Sequence, residues 1–217
     1  MLTLARLAGE IGAALRSYAD ELGYAEAFRA PSEEQLVQLQ TYLEILQLWR
    51  TRLSLISVED PQLVVREHVV DSLALLPWVE DGRRVADLGS GGGFPGVPLA
   101  IFRPGVAVTL IESRRKRASF LSEVARRLNL ANVVVLPERG EDAASRGVKF
   151  DLTVCRAFAA IGDILKVALP LTNAGGTVIA MKAELAPTER EQVPRHSAIG
   201  YHLPTGKGRQ LVVMPVP

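Results

Sequence analysis

From Asp87 to Gly96 the chain reads Asp-Leu-Gly-Ser-Gly-Gly-Gly-Phe-Pro-Gly, directly behind the aliphatic run Val85-Ala86. A glycine run this dense after a short apolar segment predicts a strand, a tight loop and the start of a helix. The loop must visit positive φ and lie against a ligand with no Cβ in the way, which glycine alone does cheaply. Pro95, with its fixed φ and missing N–H, suits a first helical position. Backbone N–H groups of the loop and helix end are then expected to face whatever binds.

Two ligand classes compete for such a loop, with a purely structural turn as the plain alternative. Read as Gly91-x-Gly93-x-x-Gly96 it matches the dinucleotide fingerprint. Read as Asp87-x-Gly89-x-Gly91-x-Gly93 it matches the loop of S-adenosylmethionine methyltransferases and uses more of the residues. Dinucleotide binding sets the first glycine directly after the strand, so that pyrophosphate meets the helix N-terminus; Gly89 and Ser90 would then be left over. S-adenosylmethionine has no phosphate but carries a sulfonium and an ammonium, which a carboxylate at Asp87 would face. Glu112 closes the next apolar run, Val106 to Glu112, about 20 residues beyond the glycines, where such folds place the acid that accepts from ribose hydroxyls. Asp87, Gly89, Ser90, Gly91, Gly93, Phe94 and Glu112 are therefore the candidate cofactor residues.

The rest of the chain supports an α/β reading. Its 217 residues are 48% hydrophobic and 6% aromatic, enough for the aliphatic core of a parallel sheet covered by helices. Helical spacing recurs at 4, 7, 11, 15, 18 and 22 with Gly23 as a stop. Ser32 caps a second helix carrying Leu36, Leu39, Leu43, Leu46 and Trp49 on one face, and a third runs from near Pro61 to Leu73. These precede the first strand, so residues 1–80 read as a helical extension and 81–217 as the main domain. Strands are expected near 84–88, 106–112, 133–136, 151–155 and 176–182, with helices near 96–103, 114–129, 160–169 and 184–192. A hairpin from Ile199 to Leu203 and Gln210 to Met214 would complete a mostly parallel, seven-stranded, Rossmann-like sheet of the class I methyltransferase type.

Ligands of such folds sit at the carboxyl ends of the strands. Those ends bring together Asp87, Glu112, Arg139-Gly140-Glu141-Asp142, Arg156 and Lys182. Gly140 and Glu141 are placed to meet an adenine edge or to cap a helix; Arg156 and Lys182 are placed on the substrate side. The net charge of +1 excludes a global polycation, so any nucleic-acid contact must be a local patch. Arg114, Arg115, Lys116 and Arg117, with Arg83, Arg84, Arg103, Arg126, Arg127, Arg139 and Arg156, read either as solvated helix faces or as a basic rim for phosphates. The fourth strand ends Val154-Cys155-Arg156-Ala157-Phe158, with neither the Asn/Asp-Pro-Pro-aromatic turn of amino-group methylation nor a cysteine after proline for cytosine C5. Cys155, the lone cysteine, reads as a buried thiol and excludes a disulfide. His68 alone reads as a satisfied core histidine, and His196 and His202 lack metal spacing, so no metal is expected. Arg6, Glu10 and Arg16 interrupt the N-terminus, and no run nears membrane-spanning length, which points to the cytoplasm.

Asp87 to Ile101, Arg66 to Leu73, Leu110 to Leu121, Cys155 to Phe158 and Met181-Lys182 together resemble the bacterial glucose-inhibited division protein B family, over nearly the whole chain from about Leu36. That resemblance implies an S-adenosylmethionine-dependent methyltransferase acting on N7 of one guanosine in the 16S rRNA of the small ribosomal subunit, as a monomer. Guanine N7 offers a lone pair and no proton, so transfer needs alignment and no general base. Arg156 and Lys182 are then cast as the residues that hold phosphate or guanine O6, Arg156 also borders the cofactor, and Arg114, Arg115, Arg139 and His68 face the RNA. N7 lies on an edge that a deep RNA groove hides, so an unpaired or flipped guanosine is expected. A small-molecule methyltransferase and an NAD(P)-dependent oxidoreductase are the rival readings.

Overall fold

A computed structural model describes residues 2–156, 159–194 and 197–217. Thr3 caps α1 (Leu4–Leu22), which Gly23 ends in the left-handed region. Ser32 and Gln35 form a capping box at the start of α2 (Glu33–Leu53). Each helix buries apolar side chains within the core. In α2 these are Leu36, Leu39, Tyr42, Leu43, Ile45 and Leu46, whereas Trp49 stays 36% exposed. Tyr42, not Trp49, is therefore the aromatic that α2 places inside. The third predicted helix is broken into α3 (Pro61–Val64), a π-helical turn (Val65–Val69) and α4 (Val70–Leu73). Such turns re-aim side chains and gather at functional sites.

The sheet contains β1 (Arg84–Leu88), β2 (Ala107–Ile111), β3 (Val133–Leu136), β4 (Phe150–Arg156), β5 (Thr172–Lys182), β6 (Ala198–His202) and β7 (Gly208–Pro215) in the order 3-2-1-4-5-7-6. Strands β1 to β5 pair in parallel and β7 runs antiparallel to both β5 and β6. This is the mostly parallel seven-stranded sheet the sequence predicts. β5 starts earlier than expected: Thr172 pairs with Phe150, and a register shift intervenes before Thr177 meets Leu152.

Helices α5 (Gly96–Phe102), α6 (Arg115–Arg127), α7 (Gly140–Ser145) and α8 (Ile161–Leu171) fill the crossovers. The two faces of the sheet carry separate cores. Val85, Val108, Leu110, Leu152, Val154, Ile179 and Met181 pack with α5, α6 and the N-terminal helices in one continuous cluster. Ala86, Leu88, Ile111, Cys155, Val178 and Ala180 pack with α7 and α8 in the other. Strand alternation thus decides which layer each functional side chain meets. The predicted helix at 184–192 shrinks to α9 (Pro187–Arg190), because Glu189 turns inward and accepts from Ile161 N–H, Ala186 N–H and Lys182. No helix of the described residues is long and apolar enough to cross a membrane.

Candidate active site

The glycine loop leaves β1 through Asp87, which is 1% exposed. Gly89, Gly91 and Gly93 take φ of 77°, 54° and 100°, as the sequence requires. At Gly93 a Cβ would stand 2.8 Å from Val97 Cγ2 and 2.9 Å from the Tyr42 hydroxyl, so no other residue fits there. The adjacent Gly92 carbonyl accepts from Tyr42 Oη at 2.6 Å, fastening the loop to α2.

The amide groups of the loop do not behave as expected. Gly89 N–H and Ser90 N–H both donate to the Ile111 carbonyl, Gly93 N–H to Ser90 O, and Gly91 N–H to Glu112 Oε2 at 3.0 Å. Pro95 occupies the N-cap of α5 rather than its first turn, and Gly96 N–H donates to Asp87 Oδ2 at 3.0 Å. Four of the loop amides and the first amide of α5 are thus already taken, because the chain supplies its own acceptors. What remains is the opposite charge: Asp87 Oδ1 is buried with no partner among the described residues. Burial lifts the Asp87 carboxyl from its ordinary 3.8 to about 7. A buried carboxylate lacking a partner is costly, and a ligand cation relieves that cost.

The other predicted cofactor residues surround this loop. Ser90 is buried and its hydroxyl donates to Asp87 O at 2.9 Å, so it braces the turn from within. Glu112, 5% exposed, accepts from Gly91 N–H and from Arg114 N–H at 2.8 Å. Each carboxylate oxygen keeps a second lone pair for a ribose hydroxyl. Phe94 lies against Tyr42 and against the His68 ring, 5.2 Å between centroids. Gly140 is buried at the start of α7 and Glu141 is exposed.

Strand alternation separates Arg156 from Lys182. Arg156 shares the parity of Leu152 and Val154 and turns toward the N-terminal helices. Its Nε donates to Asp71 Oδ2 at 2.9 Å, Nη1 to His68 Nδ1 at 2.6 Å, and Nη2 to the Glu67 carbonyl at 2.8 Å. A guanidinium only donates, so His68 accepts at Nδ1 and carries its proton on Nε2; that atom is buried with no partner among the described residues. Burial drives the His68 pKa down to about 3, so the ring is neutral. Lys182, with the parity of Val178 and Ala180, turns to the opposite layer and donates to Glu189 Oε1 at 2.6 Å and Ala159 O at 3.1 Å. The Ala157-Phe158 part of the predicted Arg-Ala-Phe turn, like His196, lies outside the described residues.

The expected basic rim divides between the two ends of the sheet. Arg83 and Arg84 stand at the amino end of β1, and Arg103 donates to the Val79 and Ala27 carbonyls, away from the loop. Arg126 and Arg127 clamp Glu123. Arg117 fastens α6 to the Leu53 and Ser54 carbonyls. Arg114, Arg115 and Arg139 remain exposed near the carboxyl ends. Cys155 is fully buried with its thiol pushed up to about 12 by burial, as a core thiol should be.

A cavity of about 410 Å³ opens among the Gly89–Gly92 loop, Phe94, His68, Arg156, Lys182 and Arg209. Its size suits a small-molecule site. A larger groove, about 610 Å³, lies at the other end of the sheet beside Arg29, Glu80 and Arg103 and touches none of these groups. Arg209 and Asp71 carry no role in the sequence reading. Antiparallel pairing was the available signal, because it brings the start of β7 to the end where β1 to β5 finish. No group of three or more His, Cys, Asp or Glu side chains among the described residues could hold a metal.

Comparison with known proteins gives one consistent result. The family model described as rRNA small subunit methyltransferase G matches residues 35–205. Ribosomal RNA small subunit methyltransferase G of Alkalilimnicola ehrlichii is 42% identical over 157 residues, covering 72% of this chain and 70% of the relative. That of Xanthomonas axonopodis pv. citri is 37% identical over 196 residues, covering 90% and 88%. Among solved structures, TrmN from Thermus thermophilus aligns with a TM-score of 0.54 at 20% identity, over 69% of this chain and 49% of TrmN. The chain thus spans about half of that protein. A point mutant of MtNAS in complex with S-adenosylmethionine aligns with a TM-score of 0.54 at 17% identity, over 99% and 90%. At these identities the structural likeness speaks to the fold.

Proposed function

The chain belongs to the rRNA small subunit methyltransferase G family, and from that premise we propose that it transfers a methyl group from S-adenosylmethionine to N7 of one guanosine in 16S rRNA. The observation that carries the reading is the pairing at the glycine loop. The amides of Gly89, Ser90, Gly91, Gly93 and Gly96 are spent on the protein's own oxygens, while a buried carboxylate oxygen at Asp87 has no partner among the described residues. Such a loop suits a cationic adenosine ligand and is a poor seat for pyrophosphate, which weighs against the oxidoreductase reading.

The residues present fit S-adenosylmethionine. Asp87 would face its positive end, Glu112 its ribose hydroxyls, and Gly89, Ser90, Gly91 and Gly93 would let the backbone approach. Phe94 would form an apolar wall, and Gly140 and Glu141 would border the adenine. When bound, that molecule supplies an electrophilic methyl group, which a purine lone pair accepts with no base. Arg156 and Lys182 accordingly need move no proton. Each already donates to a carboxylate, and in this reading they hold the walls of the target site: Arg156 sets His68 and Phe94, and Lys182, at the end of β5, ties Glu189 of α9 to the Ala159 carbonyl ahead of α8. Arg114, Arg115 and Arg139 are left to meet RNA phosphates, and His68 Nε2–H to meet an acceptor on the target nucleotide. Residues 1–80 serve as the extension and 81–217 as the donor-binding domain of a cytoplasmic monomer.

Mass mapping of 16S rRNA from cells lacking the protein tests the proposal. Loss of one N7-methylguanosine, restored by the wild-type chain and not by Asp87→Ala, is the expected result. Unchanged rRNA with methyl transfer to a small metabolite would favour the small-molecule enzyme instead.

A further inference from the structure

The cations at the cavity, Arg156, Lys182 and Arg209, and the nearby Lys207 of the hairpin turn are not equally matched. Lys182 contacts Glu189 at 2.6 Å, Lys207 contacts Glu67 at 2.5 Å, and Arg156 contacts Asp71 at 2.9 Å. Arg209 stands apart. The carboxylate oxygen nearest to it among the described residues is Asp71 Oδ1, 3.9 Å from Nε. That same oxygen already accepts from Tyr201 Oη at 2.5 Å, and its twin accepts from Arg156. Apart from Nη1 donating to the Gly208 carbonyl at 3.1 Å, the described residues offer the guanidinium no hydrogen-bond acceptor. Its side chain is nevertheless only 19% exposed and lines the cavity. A planar fork of donors held in a recess, its charge met only by a carboxylate 3.9 Å away that Arg156 and Tyr201 already share, is a seat for an oxyanion.

The sheet order indicates which oxyanion. The acids expected to hold the donor are Asp87 on β1 and Glu112 just past β2, whereas Arg209 stands on β7, with β4 and β5 between. At about 4.8 Å per strand, β7 lies roughly 14 Å from β1. It borders the far side of the cavity, where the target nucleotide must enter. We propose that Arg209 binds a backbone phosphate of the RNA at the target nucleotide, making the start of β7 part of the RNA site. The inference rests on the 16S rRNA reading above and deepens it.

Salt-dependent binding tests it directly. Full-length wild type, Arg209→Gln and Arg209→Lys are each titrated with protein-free 16S rRNA between about 50 and 200 mM salt, and separately with S-adenosylmethionine. Losing one phosphate contact flattens the plot of log affinity against log salt by roughly 0.7 to 0.9. Arg209→Gln should show that flattening with unchanged donor affinity, while Arg209→Lys keeps the wild-type slope. Retained donor binding also reports that the variants are folded. An unchanged slope in Arg209→Gln overturns the proposal, as does a fall in donor affinity matching the fall in RNA affinity, which would assign Arg209 to the donor's carboxylate. If the wild type neither binds nor methylates 16S rRNA, the functional reading fails and this inference with it. If the wild type methylates and Arg209→Gln keeps its salt slope, this inference fails alone.

Discussion

Asp87→Asn separates what the glycine loop gains from its carboxylate when a ligand is bound from what that carboxylate costs when none is. Burial holds the Asp87 pKa near 7 rather than 3.8. Between those values the folded protein keeps a proton that the unfolded chain has released. Because the folded state binds more protons there, stability falls as pH rises through the window and levels off above about pH 7. The full span is worth roughly 4 kcal/mol. Asparagine keeps the shape and an oxygen for Gly96 N–H but cannot ionise. In urea unfolding without ligand, the variant should match wild type near pH 4 and exceed it by up to roughly 4 kcal/mol at pH 8. His68, held neutral by burial, destabilises both proteins equally in acid and cancels in the difference. Titration with S-adenosylmethionine supplies the other half: the wild type should bind more tightly as pH rises toward 7, and the variant should lose most of its affinity. A pH-independent stability difference, or normal donor binding by Asp87→Asn, would refute the reasoning.

Three further outcomes follow from the same contacts. Tyr42→Phe removes the buried donor to Gly92 O and should cost about 1–3 kcal/mol, with weaker donor binding; an unchanged melting temperature would show that the loop holds itself. Asp71→Ala strips Arg156 and Tyr201 of a shared acceptor and should cost about 3–5 kcal/mol, visible in urea midpoints, so wild-type stability would deny the network its role. Gly93→Ala forces a methyl against Val97 and Tyr42 at positive φ; calorimetry should find donor binding lost, and tight binding would mean the loop can relax.

Local patterns announced the elements and not the pairings between them. β1 spans 84–88 as expected, and the hairpin falls within two residues of its predicted strands, because alternation and turn residues are local signals. Gly23 and Ser32 acted where their chemistry placed them. The direction of Arg156 was available too: counting in twos from Val154 turns it toward the N-terminal helices. Its partners were not, since Asp71 lies 85 residues away and no local spacing reports that contact. The inward turn of Glu189 in α9 has the same cause, since two of its donors, Ile161 N–H and Lys182, lie on α8 and β5. Most informative was the loop itself. Its glycines predicted the backbone path, but the destinations of the Gly89, Ser90 and Gly91 amides depended on Ile111 and Glu112 arriving alongside.

The Asp71 network joins three distant parts of the chain: α4, laid down before the sheet, β4 near its centre, and Tyr201 on the hairpin. Chains emerge from the ribosome amino end first. Until the hairpin is released, Asp71 lacks its phenol partner and the pocket lacks one rim. A growing chain therefore has no finished cleft, and competence to modify ribosomal RNA arrives only once that hairpin has been made.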